Sequence, residues 1–163
     1  MKTQILLILF LTLLIPKVSF ACECLPSSLV SAQKIEFENS DCILIGEVLE
    51  IDPKNDTFKV KVIESFNGDE NDIVYNGIYN RFCAPIINKK GKWLIYGNIN
   101  DDGLLEINAC GLTRSFKNPE DNIFGLGTDF ATYPETEKEK TERIKKAKSD
   151  LIDEIKILRS KSE

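Results

Sequence analysis

The chain has 163 residues, of which 42% are hydrophobic, and it carries a formal net charge of −5 at pH 7. It contains no histidine, so catalysis by Ser-His-Asp or Cys-His groups and zinc sites built from imidazole are excluded. The acidic balance disfavours a phosphate backbone as a partner. We therefore expect a protein that is not an enzyme, needs no cofactor and binds no nucleic acid.

The first 21 residues are typical of a secretory signal peptide. An unbroken apolar run over residues 5–15 follows Lys2, and small residues stand at Ser19 and Ala21, the two positions that a signal peptidase reads. The run is shorter than the ~20 residues that a helix needs to cross a bilayer. We expect cleavage after Ala21, no membrane span, and a secreted protein located outside the cell or in the periplasm.

Cleavage there leaves residues 22–163, enough for one domain with its own core. The signal segment removes two lysines, so the mature chain has 19 basic and 26 acidic side chains. Composition then divides it into an acidic body over residues 22–134 and a nearly neutral, densely charged tail over residues 135–163. We expect the body to be the folded domain and the tail to be a helix attached to it.

Residues 27–38 predict a short helix, with Ser27 or Ser28 as its N-cap. Apolar patterns bounded by turn residues then predict five short strands. The strands lie at residues 42–51, 57–66, 72–75, 92–99 and 104–110. The sequence over residues 100–103, with Gly103 at its end, is typical of a hairpin turn. Five short strands after one helix favour a mostly β fold with a small closed barrel and flanking helices.

The tail predicts a charged amphipathic helix over residues 136–160. Thr136 and Glu139 have the spacing of a capping box, and apolar residues then recur at steps of three and four. This stripe consists of Ile144, Ala147, Leu151, Ile155 and Leu158. The helix either packs its stripe on its own barrel, which we favour, or pairs with another chain.

Five cysteines remain after cleavage, and an exported chain meets an oxidising compartment in which disulfides form. Because five is odd, at least one stays unpaired or is otherwise modified. We expect Cys42 to be the unpaired one, since it stands in an apolar strand where a thiol behaves as a small buried hydrophobe. Cys22 and Cys24 point to one side of an extended segment, so each needs a distant partner. Cys83 and Cys110 are the two cysteines that remain.

Several short motifs occur in order along the chain. They are Cys22-Glu23-Cys24-Leu25-Pro26, Ser40-Asp41, Arg81-Phe82-Cys83, Trp93-Leu94-Ile95-Tyr96-Gly97, Asp102-Gly103-Leu104-Leu105 and Ala109-Cys110. With this order and cysteine spacing, residues 22–116 resemble the N-terminal domain of the tissue inhibitors of metalloproteinases, a netrin-like module. The resemblance implies a five-stranded OB-like Greek-key barrel, here in a reduced single-domain relative.

The resemblance also implies disulfides Cys22–Cys83 and Cys24–Cys110. It implies that the α-amine and carbonyl oxygen of Cys22 chelate the catalytic zinc of a target metalloprotease, which is the predicted partner. The chain would hold no metal of its own. Further contacts with the cleft of the target would come from Glu23, Cys24, Leu25, Pro26, Arg81 and Phe82.

The chain departs from the family pattern at Glu23, where the animal inhibitors carry a small hydroxylated or uncharged residue. A desolvated carboxylate needs a charge partner, so Glu23 favours a target with a basic specificity pocket. The third bridge of the family's N-terminal domain has no counterpart here. The charged helix over residues 136–160 stands where the family has a cysteine-rich C-terminal domain.

Other roles for the opening cysteines stay open. The residues before Cys22 form a poor match to a bacterial lipobox, and lipid on Cys22 would forbid both its disulfide and zinc chelation. The alternative function is a non-inhibitory netrin-like binding or structural module at the cell surface, with or without that lipid anchor. A redox or metal role for Cys22 and Cys24 lacks the usual Cys-x-x-Cys spacing.

Overall fold

The structure, a computed structural model, describes residues 28–67, 71–83, 85–121 and 135–162. The predicted signal peptide and the segment Cys22–Pro26 therefore lie outside the described residues. Within these ranges the chain forms two helices and six strands. The elements are α1 (Leu29–Asn39), β1 (Cys42–Asp52), β2 (Thr57–Asn67), β3 (Val74–Ile78), β4 (Gly91–Ile99), β5 (Leu105–Ile107), β6 (Arg114–Ser115) and α2 (Glu137–Ser162).

Five strands close into a barrel. They are hydrogen-bonded in the order β1-β2-β3-β5-β4, and β4 pairs in turn with β1. All of these neighbours are antiparallel except β3 and β5, which run parallel. The two-residue strand β6 pairs with the first half of β4, a stretch that the three-residue β5 does not reach. The predicted mostly β fold, with an OB-like barrel and flanking helices, is confirmed.

Two predicted strand boundaries are wrong. β3 begins at Val74 rather than at Asp72, because Asp72 has a φ of 70°, a left-handed conformation that cannot continue a strand. β5 is shorter than predicted, and the next residue, Asn108, directs its side-chain amide to α1. The predicted turn before β5 is present, with Gly103 at a φ of 73°.

The apolar run that opens β1 is buried on both faces of the strand. Cys42 and Leu44 pack inside the barrel, together with Trp93 of β4. Ile43 and Ile45 pack in a second apolar cluster, outside the barrel, to which both helices contribute. Successive side chains of a strand point to opposite faces, so this unbroken run is explained by one face meeting the barrel interior and the other meeting the helices.

α2 packs on the barrel of its own chain, as favoured from the sequence. Its capping box is present, since the Thr136 amide donates to the Glu139 carboxylate at 2.8 Å and the Glu139 amide donates to Thr136 Oγ1 at 3.3 Å. Leu151, Ile155 and Leu158 of the predicted stripe lie in the cluster outside the barrel. Neither described helix is long and apolar enough to cross a membrane.

Glu154 lies within that stripe and is only 2% exposed. Its carboxylate accepts a hydrogen bond from the Tyr96 hydroxyl at 2.6 Å and one from Nε2 of Gln33 at 2.9 Å. It also pairs with the guanidinium of Arg114, which is fully buried. Burial and the nearby carboxylate raise the pKa of Tyr96, so its hydroxyl stays protonated and donates. One side chain of α2 is thereby joined to β4, β6 and α1.

We predict that Glu154→Gln lowers the free energy of unfolding by about 3–5 kcal/mol, because it leaves the guanidinium of Arg114 buried without a countercharge. Urea denaturation at neutral pH measures this loss. The matched control is Asp153→Asn, at the residue next to Glu154. It removes an exposed carboxylate that is paired with Lys156 and should change stability by about 0.5 kcal/mol or less. Equal effects of the two substitutions would contradict the assigned role of Glu154.

Candidate functional site

The candidate site is the turn at residues 80–83, which follows β3 and contains two of the predicted contact residues. The side-chain oxygen of Asn80 accepts a hydrogen bond from the Phe82 backbone amide at 2.9 Å, and the backbone carbonyl of Asn80 accepts one from the Cys83 backbone amide at 3.0 Å. Tyr79, just before the turn, is buried and its ring lies 6.4 Å from that of Phe58, centroid to centroid. The turn is therefore held by its own hydrogen bonds and by a buried aromatic residue at its start.

Phe82 lies in this turn and is 88% exposed. It is the most exposed large apolar side chain in the described part of the chain. Single exposed apolar residues are common on protein surfaces. Aromatic side chains, Phe included, are however enriched at the cores of protein interfaces. The prediction that Phe82 contacts a target stays a prediction.

Arg81 is placed differently from its neighbour. Its Nε donates to both carboxylate oxygens of Asp56, at 2.8 and 3.2 Å, and its guanidinium also bonds the carbonyl oxygen of Pro53. The Asp56 carboxylate raises the pKa of Arg81, which keeps the guanidinium charged. The predicted contact residue Arg81 thus ties the turn to the loop between β1 and β2.

Cys83 and Cys110 follow the ends of the two parallel strands. Because Gly77 pairs with Leu105 and Ile78 with Glu106, the chain leaves β3 and β5 in the same direction and at the same level. The predicted partners of Cys83 and Cys110, which are Cys22 and Cys24, lie outside the described residues, so the predicted pairing stays a prediction. Cys42 is 3% exposed in the barrel core, the buried environment predicted for it.

The segment that leads to Cys110 is bound to α1. The side-chain Nδ2 of Asn108 donates to Glu36 Oε2 at 3.2 Å and to Ser40 Oγ at 2.8 Å. Glu36 also lies close to Gly111, where a Cβ atom added to the glycine would lie 2.9 Å from the same carboxylate oxygen. α1 begins at Leu29, so the predicted inhibitory segment, which ends at Pro26, leads almost directly into a helix that is fixed beside Cys110.

Glu36 is only 7% exposed. Burial raises its pKa above the ordinary value of 4.5, and the hydrogen bonds from Asn108 and from the backbone of Leu112 lower it in part. The nearby carboxylate of Glu154 adds to the upward shift. The native state therefore holds a proton on Glu36 more tightly than the unfolded chain does, and stability decreases as the pH rises above the ordinary carboxyl pKa.

A groove of about 270 Å³ is lined by residues of β1, β2 and β3 and by Leu104. OB-folds use this region to bind oligonucleotides and oligosaccharides. In this chain the groove includes the carboxylates of Glu50 and Asp52, and Lys59 is already paired with Glu50 at 2.8 Å. Because like charges repel, these carboxylates disfavour a phosphate backbone. Across the described ranges no cluster of three metal-ligating side chains occurs.

Sequence reasoning missed several residues that build the site. Asp56 stands in an Asn-Asp turn, where such residues are expected for the turn alone, and nothing nearby in sequence points to Arg81. Glu36 and Glu154 each lie among apolar residues of an amphipathic helix. A carboxylate on an apolar face is the one available signal of a buried, hydrogen-bonded charge.

No family model matches the chain, and no curated protein matches it either. The resemblance to the tissue inhibitors of metalloproteinases therefore depends on the motifs and cysteine spacing given above.

We predict that the free energy of unfolding of Glu36→Gln, relative to that of the wild type, is higher at about pH 7 than at about pH 4. The expected difference between the two conditions is about 1 kcal/mol. The substitution removes the cost of ionising a buried carboxyl group, so the benefit grows as the pH rises. Urea denaturation across this range measures it. Glu38→Gln is the control, since Glu38 is exposed and pairs only loosely with Lys34 at 3.9 Å. A pH-independent difference between Glu36→Gln and the wild type would contradict the prediction.

Proposed function

We propose that the chain is a secreted metalloendopeptidase inhibitor. Signal peptidase cleaves it after Ala21, and the new α-amine of Cys22 and the carbonyl oxygen of the same residue chelate the catalytic zinc of a target protease. The chain itself performs no catalysis and holds no cofactor. Glu23, Cys24, Leu25 and Pro26 extend the contact along the cleft of the target.

The observation that carries the proposal is the parallel pairing of β3 with β5. It places the segments that contain Cys83 and Cys110 beyond the same end of the barrel. Two bridges from those segments to Cys22 and Cys24 would hold one short N-terminal segment across that end. Phe82 directly precedes Cys83, so it would lie next to one of these bridges, and it is exposed for a second contact with the target.

The chemistry of a free cysteine amine suits a catalytic zinc. Such a zinc keeps one coordination position open for water, and an α-amine with a pKa of about 7.7–8.0 has a neutral fraction able to donate its lone pair at physiological pH. No imidazole is available in this chain. Two bridges would hold the amine and the carbonyl oxygen in place before binding, which lowers the ordering cost of association.

We predict that one alanine added before Cys22 weakens inhibition more than about a hundredfold, because it removes the chelating amine itself. Loss of a residue that only supports a metal ligand already costs 10–100-fold in metal affinity. The inhibition constant is measured against a panel of purified zinc endopeptidases with apolar or basic specificity pockets. The same alanine added at the C-terminal end is the control and should have no effect.

Intact mass and N-terminal sequencing of the exported wild type complete this test. A free Cys22 amine with two disulfides agrees with the proposal. Lipid on Cys22 rules out chelation and favours the non-inhibitory netrin-like module at the cell surface. Inhibition that survives the added alanine rules out chelation as the mechanism of inhibition.

We predict that Glu23→Ala strengthens binding to zinc endopeptidases with an apolar specificity pocket by about tenfold or more, because the carboxylate is no longer desolvated there. For proteases with a basic pocket the same change should weaken binding. Glu38→Ala, which removes an exposed carboxylate from α1, controls for net charge. No difference between the two variants would rule out placement of Glu23 in the specificity pocket.

A further inference from the structure

We propose that Asp56 is a positioning residue, which sets the orientation of the turn at residues 80–83 and thereby of Phe82 for docking to the target. This inference rests on the proposed function. It assigns to the loop between β1 and β2 a role that no sequence motif indicated, and it separates the roles of the two neighbours Arg81 and Phe82.

Asp56 contacts the turn through two independent groups. Its backbone carbonyl accepts a hydrogen bond from the amide of Tyr79 at 3.0 Å, which fixes the chain just before the turn. Its carboxylate accepts from Nε of Arg81 at 2.8 Å and pairs with the rest of the guanidinium. A planar guanidinium bound to two carboxylate oxygens has a defined orientation, which a single contact would not provide.

The loop that carries Asp56 is itself well fixed. Asp52 accepts hydrogen bonds from the amide of Lys54 at 2.9 Å and from the side chain of Asn55 at 2.7 Å. Pro53, whose ring restricts its φ, supplies the carbonyl oxygen that also accepts from Arg81. Asp56 has a φ of 55°, a conformation that Asp and Asn adopt more readily than most residues. Arg81 therefore binds to a rigid support.

Phe82 consequently lies between two fixed residues. Arg81 on one side is bound to Asp56, and the backbone amide of Cys83 on the other side donates a hydrogen bond to the backbone carbonyl of Asn80 at 3.0 Å. An exposed aromatic side chain on a mobile loop would lose conformational freedom on binding, whereas one on a fixed turn loses less. Asp56 thus contributes to affinity without touching the target.

The test compares Asp56→Asn with Asp72→Asn. Both aspartates have positive φ, at 55° and 70°, and both pair with a basic residue, Arg81 and Lys61 respectively. Asp72 precedes β3 at the end of the strand away from the turn. Asparagine keeps the left-handed conformation in both cases and removes the charge. Arg81→Lys is a second variant, which keeps the positive charge and loses the bidentate geometry.

Two measurements are made on the full chain. Amide hydrogen exchange should become faster at Phe82 and Cys83 in Asp56→Asn and Arg81→Lys, and should be unchanged there in Asp72→Asn. The dissociation constant for the most strongly inhibited zinc endopeptidase of the panel should rise about fivefold in Asp56→Asn. In a Phe82→Ala background the same substitution should have no effect on that constant, because Asp56 acts through Phe82.

Equal exchange at the turn in Asp56→Asn and Asp72→Asn would overturn the proposal, and so would a fivefold loss that persists in the Phe82→Ala background. These outcomes are distinct from failure of the chelation mechanism. If the chain with alanine before Cys22 inhibits as well as the wild type, chelation is wrong, while a Phe82-dependent effect of Asp56 on binding still stands. If no protease of the panel binds, the docking role is overturned together with the proposed function.

Discussion

The carboxylate of Glu154 is the contact on which the arrangement outside the barrel depends. A buried charge is costly unless it is paired and hydrogen-bonded, and here Arg114, Tyr96 and Gln33 supply those partners. An apolar stripe alone specifies the register of a packed helix weakly, whereas these hydrogen bonds and this ion pair form only where Glu154 faces Arg114, Tyr96 and Gln33. α2 is thereby held at one position on the barrel, and α1 is held at one position relative to α2.

From that contact the constraint extends toward the candidate site. Gln33 and Glu36 lie on the same helix, and Glu36 is bound to Asn108, two residues before Cys110. The parallel pairing of β3 with β5 then relates Cys110 to Cys83 and to the turn that carries Phe82. α2 thus shares a set of buried polar contacts with the end of the barrel where the proposed inhibitory segment would be held.

The elements predicted from the sequence were those with strong local patterns. β2, with its alternating apolar residues, and α2, with its stripe and capping box, needed no knowledge of the rest of the fold. β6 could not be predicted, since a two-residue strand exists only because β5 leaves part of β4 unpaired. The same holds for the pairings of Glu154 with Arg114 and of Asp56 with Arg81, because residues 40 or 25 positions apart meet only in the closed barrel. The order of the cysteines could be read from the sequence, whereas the relative direction of β3 and β5, the strands that precede Cys83 and Cys110, could not.

The double burial of the first half of β1 has a consequence for how the chain reaches its native state. Ile43 and Ile45 are made early, whereas α2, which covers them together with α1, is made after every strand. Until α2 docks, the outer face of β1 exposes a continuous apolar surface that favours association between chains. Completion of the fold therefore has to wait until α2 has been made, so the outer face of β1 is expected to become fully buried only as the last step, after all the strands are in place.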